Sequence, residues 1–124
     1  EMVAHAREEA PLEACGILAG RDGAAVRLYR ARNADESAST YRMDPQEQFE
    51  IFRDLEDRGL EIWGIYHSHP RTAAYPSATD VRLAYYPDAY HFIVSLAGPE
   101  PIIRSFRIGP DGSSEVIETP LTLS

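Results

Sequence analysis

The run Ile62-Trp63-Gly64-Ile65-Tyr66-His67-Ser68-His69-Pro70 restricts what this chain can fold into more than any other segment. Its apolar, aromatic and β-branched residues predict a strand over Ile62 to His69. Alternate side chains of a strand share a face, so His67 and His69 project the same way, and Trp63 has the same parity. Trp63 reads as core packing. Two imidazoles in an apolar strand are a different matter, because each buried ring needs a polar partner and a shared metal ion supplies both.

Beyond Pro70 and a short loop, Ser77-Ala78-Thr79-Asp80 predicts a helix start, with Ser77 as N-cap and Asp80 three residues on. Such a turn can aim Asp80 back at the histidines. Neutral imidazoles with one carboxylate suit Zn²⁺, and three protein ligands leave a fourth position for water, as in catalytic zinc sites. The plainer readings are that Ser77 only caps its helix and that Asp80 only complements the helix dipole. A two-histidine, one-carboxylate iron oxygenase and a His-x-His cupin are rival metalloenzymes. Against both, the carboxylate comes from a capped helix and no further downstream His-and-Glu pattern appears. A zinc deaminase is excluded by the missing Cys-x-x-Cys pair.

His-x-His, seven residues, Ser, two residues and Asp follow one another without a gap at His67, His69, Ser77 and Asp80. With this pattern the chain resembles the JAMM metallopeptidases of the MPN domain family. Further matches run through Pro11-Leu12-Glu13-Ala14-Cys15-Gly16-Ile17-Leu18-Ala19-Gly20, Tyr41-Arg42-Met43-Asp44-Pro45 and Phe92-Ile93-Val94-Ser95, so the resemblance covers nearly the whole chain. It is closest to the compact bacterial members, several of which remove groups from the C-terminus of ubiquitin-like sulfur-carrier proteins. The resemblance implies one Zn²⁺ per chain held by His67, His69 and Asp80. It also implies Glu13 as general base, with Ser77 stabilising the oxyanion. The implied reaction is hydrolysis after the C-terminal Gly-Gly tail of a ubiquitin-like or sulfur-carrier protein. The alternative is a non-catalytic MPN-type binding module, although relatives of that kind generally lack the ligands that this chain keeps.

A length of 124 residues with 44% hydrophobic content fits one domain over residues 1–124. No apolar run approaches the ~18 residues of a membrane span, and the first residues lack the order of a signal peptide. A cytoplasmic protein with no membrane partner is expected. The first residue is Glu1 and not Met, which leaves open what precedes it. All 12 basic residues are arginine against 20 acidic ones, for a net charge of -8. With no basic cluster, a nucleic-acid partner is not expected. Cys15 is the sole cysteine, so it forms no intramolecular disulfide. It reads as a small buried hydrophobe, the alternative being a fourth ligand that shares a face with Glu13.

The remaining chain predicts an α/β fold, a mixed β-sheet flanked by helices, which the resemblance specifies as MPN/JAMM and cytidine-deaminase-like. Met2 to Ala10 is helix-like and closed by Pro11, while Ala14–Ala19 and Ala25–Arg30 are strands joined by a turn at Arg21-Asp22-Gly23. Asp44, Pro45 and Glu47 start a helix in which Phe49, Phe52 and Leu55 recur at helical spacing before Gly59 ends it. A helix from Ala78 to about Tyr86 carries Asp80, and strands follow at His91–Leu96, Ile102–Ile108 and near Ser114–Glu118. His5 and His91 are read as satisfied core or surface residues, and Arg71 and Tyr75 as loop residues open to substrate or solvent.

Overall fold

The computed structural model describes residues 2–38, 41–76, 90–108 and 116–119, the last four as backbone only. Along the chain run α1 (Met2–Glu9), β1 (Cys15–Arg21), β2 (Ala24–Ala31), α2 (Pro45–Arg58), β3 (Glu61–His69), β4 (Tyr90–Ser95), β5 (Ile102–Ile108) and β6 (Val116–Thr119). The strands form one six-stranded sheet in the order β2-β1-β3-β4-β5-β6. Only β3 and β4 run parallel within it. This is the mixed sheet that the sequence predicts. The predicted helix Ala78 to Tyr86 lies outside the described residues, as do Ser77 and Asp80.

Local chemistry sets the element ends. Asp22 and Gly23, both at positive φ, close the β1–β2 hairpin with a two-residue loop, which suits the right-handed twist of the flanking strands. Asp44 caps α2 by accepting from the Gln46 backbone N–H at 2.9 Å, and Pro45 takes a position whose N–H has no helical partner. Gly59 ends the helix in the left-handed conformation at φ 67°.

Helices cover both faces of the sheet. On one face Ile51 and Leu55 of α2 bury against Cys15, Ile17, Ala19, Ala31, Met43 and Ile65. Phe52 packs at the margin of this layer, but Phe49 is 61% exposed, so the helical stripe turns inward through Ile51 and Leu55. On the other face Leu18, Tyr66 and Phe92 form a second core beneath Met2 of α1. There His5 Nδ1 meets the Tyr66 hydroxyl at 2.8 Å, which makes His5 the satisfied core histidine expected of it.

Trp63 is a correction to the strand-parity reading. The β1–β3 register pairs Leu18 with Gly64 and then Ala19 with Ile62, so Trp63 is the extra residue of a β-bulge. The bulge turns the indole onto the α1 face, where it stacks on Phe92 with ring centroids 5.5 Å apart. Its role as core packing holds, but it lies across the sheet from the histidines. Among the described residues no helix is long and apolar enough to cross a membrane.

Candidate metal centre

His67 and His69 occupy the last turns of the pleat on β3, in the middle of the sheet. In register, His67 lies opposite Cys15 on β1 and Ile93 on β4, so its neighbours on both sides are apolar and buried. Both imidazoles are buried, and their Nε2 atoms converge to 3.1 Å. Two nitrogens each ~2.0–2.1 Å from a tetrahedral zinc would lie roughly 3.4 Å apart, close to this spacing.

The tautomer of His69 follows from its other nitrogen. Nδ1 lies 2.8 Å from the Ala73 carbonyl oxygen, which can only accept, so Nδ1 carries the proton and Nε2 presents its lone pair to the site. The loop that supplies this carbonyl is itself fastened, since the Ser95 hydroxyl donates to the Thr72 carbonyl at 2.5 Å. The Leu96 backbone N–H also donates to the His69 carbonyl at 3.1 Å. Nothing in the order of residues links Ser95 to this loop.

Glu13 arrives from the segment between α1 and β1 and is 3% exposed. One of its carboxylate oxygens and one nitrogen from each of His67 and His69 all lie within 4.8 Å of one another. Glu13 and a pair of histidines more than fifty residues further along the chain therefore meet in one buried pocket of oxygen and nitrogen. Ser68 secures that meeting: its hydroxyl accepts from the Ala14 backbone N–H at 2.7 Å, and its own N–H donates to the Ala14 carbonyl at 3.0 Å. Asn33 adds a second fastening by donating through Nδ2 to the Glu13 carbonyl at 3.2 Å.

Cys15 stays out of this group. Burial, with the nearby charges of Glu47, Glu13 and Glu9 adding to it, pushes its thiol up to about 12. Its sulfur is not among the converging ligand atoms but lies 3.9 Å from the Ala31 carbonyl oxygen, in the layer of Ile17, Ala19 and Ile65, so it packs as the hydrophobe predicted from sequence. His91 is buried on β4, while Arg71 and Tyr75 are exposed on the loop, the Tyr75 ring meeting Phe106 edge-on at 5.4 Å.

This donor set, buried and convergent, fits a small dication bound by nitrogen and oxygen. A family model of prokaryotic homologues of the JAB domain matches residues 1–109. The chain belongs to that family. Among JAB-domain relatives, the CysO-cysteine peptidase of Mycobacterium tuberculosis is 46% identical over 125 residues, covering 98% of this chain and 84% of the relative. The desampylase of Haloferax volcanii is 38% identical over 104 residues, covering 78% of this chain and 75% of the relative. The fold is similar to the solution structure of protein DSY2949 from Desulfitobacterium hafniense, at 44% identity and a TM-score of 0.85. That match covers 99% of this chain and 86% of the other.

Proposed function

We propose that the chain, as one JAB domain over residues 1–124, is a zinc-dependent peptidase that cleaves the bond after the C-terminal Gly-Gly tail of a ubiquitin-like or sulfur-carrier protein. The convergence of the Glu13 carboxylate on one ring nitrogen from each of His67 and His69, whose Nε2 atoms are themselves paired, carries the reading. The substrate class is supported by the relatives named CysO-cysteine peptidase and desampylase. Asp80 is assigned as the third protein ligand, and the site takes one Zn²⁺ per chain. A cytoplasmic place of work belongs to the same proposal and rests on the sequence.

His67, His69 and Asp80 would hold the Zn²⁺, which when bound would supply Lewis-acid polarisation and lower the pKa of a water from ~15.7 toward ~7. Glu13 takes a proton from the attacking water and returns it to the departing amine, which a buried carboxylate within hydrogen-bonding reach can do. Ser77 donates its hydroxyl to the carbonyl oxygen as negative charge gathers there. Burial in the strand restrains His67 and His69, and the Ala73 carbonyl additionally orients the His69 ring. A purely binding module would have no need of a carboxylate buried beside two imidazoles, and this observation disfavours that alternative.

Mass spectrometry tests the proposal. A sulfur-carrier protein extended beyond its terminal Gly-Gly is incubated with the zinc-loaded protein, with Glu13→Ala, and with a chelator. Cleavage after Gly-Gly that both controls abolish is expected. Intact carrier after incubation with the zinc-loaded protein, across several carriers, rejects this substrate class.

A further inference from the structure

A histidine ligand holds its metal only while the plane of its ring points at the ion, and rotation of the ring carries Nε2 away. For His69 that plane is fixed through Nδ1 by the Ala73 carbonyl. His67 has a restraint of another kind, because the Tyr41 ring lies flat against it, with centroids 4.5 Å apart and planes inclined by 20°. Ile65, the neighbour of His67 on the same face of β3, packs in the core layer against which Tyr41 also rests. The Tyr41 ring thus covers one face of the imidazole.

Tyr41 is itself held in place. The next residue, Arg42, donates its backbone N–H to Asn33 Oδ1 at 3.1 Å and accepts at its carbonyl from the Ala34 N–H at 2.6 Å. Met43 forms an antiparallel bridge with Asn33. The same Asn33 side chain donates to the carbonyls of Glu13 and Ser37. One amide therefore ties the strand-like stretch that carries Tyr41 to the segment that carries Glu13.

We infer that Tyr41 is a positioning residue for metal binding: its ring stacks on His67 to fix the plane of that ligand, and Asn33 registers it with Glu13. The inference rests on the metal site of the preceding section but on none of its chemistry. It requires the flat ring and not the phenolic hydroxyl. Partners that orient a metal-ligating imidazole typically change metal affinity by ~10–100-fold when removed.

The test compares Tyr41→Phe with Tyr41→Leu, reading zinc affinity by competition with a chromophoric chelator and ligand geometry from the visible absorption of the Co²⁺ form. No substrate enters either measurement. Tyr41→Leu is expected to bind zinc at least about tenfold more weakly and to shift the Co²⁺ bands, while Tyr41→Phe stays within about twofold of the parent. Tyr41→Met, which keeps volume but not flatness, replaces the leucine variant if that one does not fold by circular dichroism. A folded leucine or methionine variant with the parent's zinc affinity and Co²⁺ spectrum overturns the inference, as does a phenylalanine variant that loses as much as leucine. A parent protein that binds zinc yet cleaves no carrier rejects the peptidase proposal and leaves this one standing. A parent that cleaves, beside a leucine variant of undiminished affinity, does the reverse.

Discussion

Glu13 is the residue whose replacement says most, because it is close enough to both imidazoles either to move a proton or to touch the ion. Glu13→Gln keeps the shape and removes the base. Activity is expected to fall by ~10²–10⁴-fold with the zinc content unchanged, as measured by turnover alongside elemental analysis. Zinc loss in parallel with activity would make Glu13 a ligand instead. Ser68→Ala removes the acceptor of the buried Ala14 N–H and is expected to cost about 1–3 kcal/mol in chemical denaturation, with activity falling as the Glu13 segment loosens. Gly16→Ala acts at the same junction, since an added methyl would collide with the Tyr66 ring and the Tyr29 carbonyl oxygen. Overpacking of this kind costs ~1–3 kcal/mol or more, read as a lowered denaturation midpoint.

At the scale of elements, the start of α2 makes stability depend on pH. The Arg32 guanidinium, followed by the Gln46 backbone N–H, holds the Asp44 carboxyl below its ordinary value of 3.8. A carboxyl depressed in the fold stabilises above the unfolded value, and that contribution is lost as pH falls through the folded one. Acid unfolding followed by circular dichroism should therefore set in at higher pH for Asp44→Asn than for the parent, if the cap's charge rather than its hydrogen bond matters. The capped helix was legible in sequence because Asp44, Pro45 and Gly59 each act within a turn of their own position. The pairing of His67 with His69 was legible too, since a period of two survives any register. What sequence could not show is whatever breaks that period or spans the chain. The bulge reversed Trp63, and the contacts of Asn33, Ser68, Tyr41 and Ser95 join segments whose meeting depends on strand order. Phe49 had the right spacing for a core position and lies on the wrong side of the stripe.

Taken whole, the molecule brings its candidate site together from α1's exit, the middle of the sheet and the loop after β3, so the proposed zinc binding would be coupled to folding. Zinc at a free concentration about a hundredfold above its dissociation constant stabilises a fold by about 2.7 kcal/mol. Chelation should accordingly lower the melting temperature by on the order of 10 °C in calorimetry, reversibly on adding zinc back. The same dependence should be absent from a His67→Ala, His69→Ala double variant. A last consequence belongs to the bulge on β3. It sends the chain's single indole to the side of the sheet away from the imidazoles, against Phe92 and Tyr90 and beside α1. Fluorescence emission from that ring is a built-in gauge of whether the first helix is seated, and it should stay nearly silent while metal is loaded or stripped from a folded sample.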